Sequence, residues 1–312
     1  MSTLPFRKQF VIDVLIVVLV CLPLLVIQTL GRPAVSGFWC RDQSLGYPYK
    51  PDTVSLTMLM VFTVGGPLFV MAISESVRAA FKVRLFRQFR AEMHSFSKAY
   101  GVFLFGMAVT CIFTETLKYS VGRLRPHFFE ICRPDTYNIS CTQDTNNDRY
   151  ILYYTCTNTL VDHKLIQDSH LSFPSGHASM SMFSALFTIF YLQMRMDVTF
   201  SHLMRPTLQM VILLLAMFCC VSRVTDYKHF TSDVLAGIAI GIVLAWGTFY
   251  RLGKELIPTH PSDKSPCLPR ATSIESEPQT PTPLLRPERL IISHSYRNNT
   301  GPGSKDDFVH NV

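Results

Sequence analysis

Long apolar runs alternate with polar, charge-bearing stretches along most of this chain, at a length that lipid rather than water imposes. A helix crossing the hydrocarbon core needs roughly 20 apolar residues, with about 17 as the usual lower limit. Runs of that kind cover Phe10–Leu30, Val54–Val77, Ala99–Leu117, Ala178–Met194, Thr207–Val221 and Val234–Tyr250. The fifth is short and draws on Phe200–Leu203 or Ser222 to reach that length. The pattern predicts an all-α polytopic membrane protein with six spans. The first run is long for the apolar core of a secretory signal and lacks a clear small-x-small cleavage site.

The periodicity stops near Arg251. Nine of the chain's 19 prolines lie beyond it, among Ser, Thr and charged residues. Such a stretch cannot bury a core, so residues 251–312 are expected to form a disordered cytosolic tail after a membrane domain at 1–250. Composition agrees with the membrane reading. Hydrophobic residues make up 48% and charged residues 16%, with a mean hydropathy of +0.23, which leaves a soluble protein a poor fit.

Charge sets the expected orientation. Arg7 and Lys8 precede the first span, and Arg78, Lys82, Arg84, Arg87, Arg90 and Lys98 crowd a short loop after the second. Arg195 and Arg205 bracket the loop between spans four and five. The positive-inside tendency puts these segments and both termini in the cytosol. The long loop from Lys118 to Phe173 then lies outside, and it carries the glycosylation sequon Asn138-Ile-Ser140. A second sequon at Asn298 falls in the tail and should stay bare. Cys40, Cys132, Cys141 and Cys156 all fall in outer loops, where an oxidising compartment permits disulfides; four cysteines allow three pairings, which the sequence leaves open. Cys21, Cys111, Cys219 and Cys220 sit within spans as small packing residues.

Three short motifs lie at span ends on that outer side. In K-x6-RP, Lys118 and Arg125 would share a face if the helix continued, and Pro126 discourages further helix. Pro174-Ser175-Gly176-His177 opens the fourth span. Its free N–H groups would face an anion, Gly176 would admit close backbone approach, and the Ser175 hydroxyl would add a bond. In S-R-x5-H-x3-D, His229 and Asp233 are four apart at the start of the last span, so the carboxylate can hold one ring N–H and leave the other nitrogen's lone pair free. Arg223 supplies a planar fork suited to phosphate oxygens, and Lys118 a point charge. Arg123 reads as a headgroup-facing cation, and Asp226 and Lys228 as solvated loop charges. Two histidines and a carboxylate could form a metal site, but three adjacent cations favour an oxyanion over a divalent ion.

At these motifs the chain resembles the lipid phosphate phosphatases, also called type 2 phosphatidic acid phosphatases, of a superfamily shared with vanadium haloperoxidases and glucose-6-phosphatase. The resemblance runs from Phe10 to about Tyr250 and includes the outer-loop stretch Cys40 to Lys50. It implies a six-helix membrane bundle of that superfamily's type. It implies that His229 attacks phosphorus to form a phosphohistidine, that Asp233 orients His229, and that His177 protonates the leaving oxygen and then activates water. Lys118, Arg125, Ser175, Gly176 and Arg223 would bind the phosphoryl group. The implied activity is magnesium-independent hydrolysis of phosphatidate, lysophosphatidate, sphingosine 1-phosphate or ceramide 1-phosphate at the extracellular or lumenal face, most naturally of the plasma membrane. No cofactor or metal is expected. Partners would be lipid phosphate substrates and membrane lipids, not nucleic acid, with a homo-oligomer left open. Two other readings are weaker: a phosphatase of a soluble sugar phosphate, whose relatives carry more spans, and a non-enzymatic scaffold or transporter, which would not need both His177 and His229.

Overall fold

A computed structural model of the chain describes residues 6–82, 86–141, 149–196 and 201–253. The Pro-rich segment after Gly253, with Cys267 and Asn298, lies outside the described residues, as does the side chain of Asn138. The fold is helical. Helices α1 (Phe6–Leu30), α2 (Leu56–Met60), α3 (Gly66–Lys82), α4 (Phe86–Val121), α8 (Gly176–Arg195), α9 (Met204–Thr225) and α10 (Thr231–Thr248) carry the apolar runs, and a π-helical turn at Val61–Gly65 joins α2 to α3. Among the described residues, five helical segments are long and apolar enough to cross a membrane: Val11–Leu30, Leu56–Arg78, Ser95–Val121, Met204–Thr225 and Thr231–Gly253. The fifth expected span, short in sequence, gains its length at both ends, running from Met204 through Ser222 to Thr225.

The expected span Ala178–Met194 corresponds to α8, which is 20 residues long but less apolar than the five. Its position explains the difference. It packs against α3, α4, α9 and α10, so its serines meet protein rather than lipid. Ala178, Ser179, Ser181, Ser184 and Ala185 are all buried there. Helix α10 comes close because Gly237 and Gly241 face it; a Cβ on Gly237 would stand 2.5 Å from the Ser175 carbonyl oxygen, and one on Gly241 2.6 Å from that of Ser179. Small residues one turn apart let two helices gain dispersion contacts where lipid offers no hydrophobic drive between them. Deeper along α8, Phe183, Phe187 and Tyr191 pack with Met71, Phe103 and Phe249. Glu75 accepts two bonds from Arg195 at 2.9 Å and one from the Tyr191 hydroxyl, which pairs a charge that burial would otherwise penalise.

Most of the basic stretch after the second span is helical, on either side of residues 83–85. Helix α3 runs to Lys82 and α4 begins at Phe86, because its Arg, Gln, Glu and Met residues favour helix beyond the bilayer edge. At the opposite end of the bundle, the segments after α1 and α4 fold into a small cap. It holds α5 (Phe128–Cys132), α6 (Asp135–Ser140), α7 (His163–Asp168) and a two-stranded antiparallel ribbon, β1 (Phe38–Trp39) with β2 (Tyr150–Ile151), in the register Phe38 to Ile151. Disulfides Cys40–Cys141 and Cys132–Cys156 resolve the pairing left open above. Phe38, Leu45, Leu124, Phe128 and Ile151 form the cap's own core.

Candidate active site

The third motif is built on a helix terminus. Helix α9 ends with the Tyr227 N–H on the Val224 carbonyl (3.0 Å) and the Lys228 N–H on the Arg223 carbonyl (3.0 Å). That is the paired-bond termination in which one residue adopts the left-handed conformation, usually glycine. Here it is Tyr227, at φ +54°, a strained position for a bulky residue. Its ring stacks on Tyr47 at 4.5 Å, and its carbonyl accepts from Nδ1 of the buried His127 at 2.8 Å. Those contacts hold the turn. The His229 N–H also reaches the Arg223 carbonyl at 3.2 Å, so the turn fixes the histidine relative to the arginine.

The His229 side chain is buried, with 3% of it exposed. Nδ1 lies 2.6 Å from the Ser172 carbonyl oxygen, so it carries the proton, and Nε2 keeps its lone pair. The Asp233 carboxylate is 4.0 Å from Nδ1, beyond hydrogen-bond reach. The expected direct bond from the ring to Asp233 is therefore corrected: the backbone of Ser172 takes that N–H. Asp233 instead accepts from the Ser172 hydroxyl (2.5 Å), the Phe230 N–H (3.1 Å) and the Arg123 guanidinium (2.5 Å). Its bond to Phe230 closes the first turn of α10, as an acidic side chain three residues into a helix can. Burial first, then the charges of Arg125 and Lys118, hold the His229 pKa well below the ordinary imidazole value, so the ring is neutral at working pH.

The cations arrive from three directions. Helix α4 does not continue to Arg125; it stops at Val121, and Gly122 at φ +61° turns the chain where a Cβ would clash with the Ala34 carbonyl oxygen. Lys118 stays on the last turn, paired with Glu115 at 2.6 Å, and its Nζ would lie 3.3 Å from a Cβ on Gly176. Arg125 reaches over from the loop, held by the Asp168 carboxylate (2.6 Å) and carbonyl (2.8 Å). Arg223 is 1% exposed and bonded to Asp52 (2.8 Å), Asp226 (3.0 Å) and the Ser222 hydroxyl (3.2 Å). Ser175 caps α8, its N–H on the Asp233 carbonyl at 3.0 Å, after a cis Phe173–Pro174 bond. His177 follows on the first turn, with Nε2 donating to the Val54 carbonyl at 3.2 Å. Electrostatic contacts link His177 to Lys118, Arg223 and His229.

All eight residues singled out by sequence thus gather at one end of the bundle, the end that carries the disulfides. The arrangement presents a neutral imidazole lone pair beside cations and a second imidazole, which suits attack on an anionic electrophile. Several neighbours were missed or misread. Asp226 and Lys228 are buried rather than solvated: Asp226 accepts from the Thr53 N–H (2.8 Å) and hydroxyl (2.7 Å), and the Lys228 ammonium sits 3.7 Å over the Tyr49 ring. Arg123 faces Asp233 rather than headgroups, stacked 4.3 Å over the Phe230 ring. Ser172 and Asp52 carried no signal beyond lying next to recognised stretches. A separate cavity of about 1000 Å³ runs along Thr29–Val35, Tyr153 and His170, and no motif residue lines it.

Comparison with known proteins agrees with the geometry. The PAP2 superfamily matches residues 99–256, which includes all three motifs. The rat protein named phospholipid phosphatase 1 is 37% identical over 77% of this chain and 83% of its own length. A human protein, phospholipid phosphatase 2, is 33% identical over 77% of this chain and 81% of its own. A fruit-fly protein named putative phosphatidate phosphatase is 35% identical over 75% of this chain and 65% of its own. No solved structure matches the chain significantly. A membrane bundle whose three motifs meet at one end, with relatives of this kind over most of its length, belongs to the PAP2 superfamily and, within it, to the lipid phosphate phosphatase family.

Proposed function

We propose that this protein hydrolyses phosphate monoesters of membrane lipids at the extracellular or lumenal face of the bilayer, through a phosphohistidine on His229. The observation that carries this reading is the His229 ring itself: its Nδ1–H is committed to Ser172, and burial with nearby cations keeps Nε2 unprotonated. Nε2 forms a bond to phosphorus as the bond from phosphorus to the lipid oxygen breaks. His177 takes up a proton as the phosphate dianion binds beside it, and gives that proton to the leaving oxygen. Water then attacks phosphorus and loses a proton to His177, and the bond from Nε2 to phosphorus breaks to release inorganic phosphate. Lys118, Arg125, Arg223, the Ser175 hydroxyl and the Gly176 backbone hold the equatorial oxygens as charge redistributes. Asp233 acts on His229 through Ser172.

The names of the relatives support lipid phosphates as substrates. Phosphatidate, lysophosphatidate, sphingosine 1-phosphate and ceramide 1-phosphate share the monoester that this set of cations would grip. Six spans follow if α8 crosses with the other five, which puts both termini on one side, and the basic residues flanking the first two spans favour the cytosol for that side. Two disulfides and the Asn138 sequon at the motif end favour the oxidising side, and the plasma membrane is the natural setting.

Three measurements test this. Purified protein should release phosphate from a panel of those lipids, and intact cells with the protein at their surface should hydrolyse an added, impermeant lysophosphatidate analogue. Asn138→Gln should remove a glycosidase-sensitive mass shift. A surface protein that ignores the added analogue but cleaves it after permeabilisation would place the site on the other face.

A further inference from the structure

We propose that Asp52 is an internal competitor for the phosphoryl group, a specificity-setting carboxylate that holds Arg223 until a phosphate dianion displaces it. This rests on the reading of Arg223 as a phosphate-binding residue.

The three acceptors on the Arg223 guanidinium differ in kind. Ser222 is its neighbour on α9. Asp226 lies one turn on and is itself fixed by both the N–H and the hydroxyl of Thr53. Asp52 comes from a distant stretch of chain and its side chain is 41% exposed, so it is the acceptor that an arriving anion can replace. Asp52 also lies 4.0 Å from the Lys228 ammonium, so one carboxylate serves two buried cations.

The backbone around Asp52 is a strap over the site. The Tyr47 N–H bonds the Pro126 carbonyl at 3.0 Å, and the Lys50 ammonium bonds the Thr225 carbonyl at 3.2 Å while lying 4.2 Å over the Tyr227 ring. Two residues after Asp52, the Val54 carbonyl takes the Nε2 proton of His177. Residues 52–54 therefore engage one guanidinium arm and one ring nitrogen that the proposed reaction needs. A phosphate oxygen at the same arm would put two anions on one donor, and the more highly charged ligand prevails. A monoester dianion can displace Asp52, whereas a phosphodiester, with a single charge, gains less by the exchange. The strap thus selects for monoesters.

The test uses the full-length protein, a short-chain phosphatidate as substrate and inorganic phosphate as product inhibitor. Asp52→Asn should lower both KM and the inhibition constant of phosphate by about two- to fivefold, as expected for loss of a partly exposed ion pair. Asp52→Ser should do the same, which separates lost charge from a disturbed strap. Arg223→Gln should raise the inhibition constant, and Asp52→Asn should add nothing in that background. If either Asp52 variant raises the constant or leaves it unchanged while Arg223→Gln raises it, the carboxylate merely buttresses the arginine and the proposal is overturned with the phosphate site intact. If Arg223→Gln leaves the constant unchanged, the phosphate-binding reading fails and the proposal goes with it.

Discussion

The Asp233 carboxylate stands 4.0 Å from Nδ1 of His229, and Ser172 bonds to both groups. The Ser172 carbonyl accepts from the ring while its hydroxyl donates to the carboxylate. The histidine's tautomer is thus set by a backbone oxygen, and the acid sets the position of that backbone. Two substitutions separate the roles. Asp233→Asn removes the anion that organises Ser172, Phe230 and Arg123, and should lower kcat by about 10- to 100-fold, the cost typical of a lost supporting carboxylate. Ser172→Ala keeps the carbonyl and loses one hydrogen bond, worth about 1 kcal/mol, so kcat should fall by less than about tenfold. Equal losses in the two variants would show that the hydroxyl, not the carbonyl, carries the coupling.

Arg123 supplies the charge that pairs a fully buried carboxylate. Its own side chain is 38% exposed, so solvent screens part of the interaction. Arg123→Gln should still destabilise the protein by about 1–3 kcal/mol, because Asp233 is left without its cation. Thermal unfolding in detergent reads this directly, and Arg123→Lys should recover part of the loss. A wild-type midpoint for Arg123→Gln would return this residue to the headgroup-facing role that its sequence suggested.

Arg223→Lys keeps the charge and removes the fork. The guanidinium now bonds Asp52, Asp226 and Ser222 with three different nitrogens, a pattern one ammonium cannot reproduce. The expected outcome is a fall in kcat/KM of about tenfold or more with the protein still folded. An unchanged value would remove Arg223 from phosphate binding.

His127 makes stability depend on pH. It is buried against Tyr227, and burial, with smaller contributions from Arg125 and Lys228, pushes its pKa down to about 4 despite the Tyr227 carbonyl. The unfolded chain binds a proton near the ordinary value of about 6.5, so it takes up protons before the folded protein does. Stability from this group is present above about pH 6.5 and is lost as pH falls toward 4. His127→Gln should flatten that part of the stability profile measured by unfolding in detergent. If the slope between pH 6.5 and 4 is the same in both proteins, another group controls it.

Much of the architecture was legible because its causes are local. Apolar runs of spanning length marked the helices, and Pro174-Ser175-Gly176-His177 marked where α8 opens, which is at Gly176, two residues before the expected span. The motif residues were legible for the same reason, since spacing within a motif survives without knowledge of the fold. The contacts that correct the picture come from elsewhere in the chain. Asp52 meets Arg223 across 171 positions, and Thr53 turns Asp226 from an apparent loop charge into a buried acceptor. Lys228 reads as solvated until Tyr49 is seen beneath its ammonium. The shared helical face expected for Lys118 and Arg125 failed at Gly122, where the close approach of Ala34 demands a turn. Cysteine pairing needed the cap, because the four residues are equivalent until β1 and β2 meet.

The measurement closest to the central claim is to trap the covalent intermediate. Purified protein mixed briefly with phosphate-labelled lysophosphatidate and quenched in alkali should carry label on His229, in a linkage that survives base and is lost in acid. The same treatment of a folded His229→Ala protein should give no label and no phosphate release, while Asp233→Asn should accumulate label more slowly. Label on another residue, or substantial turnover by His229→Ala, would contradict attack by His229.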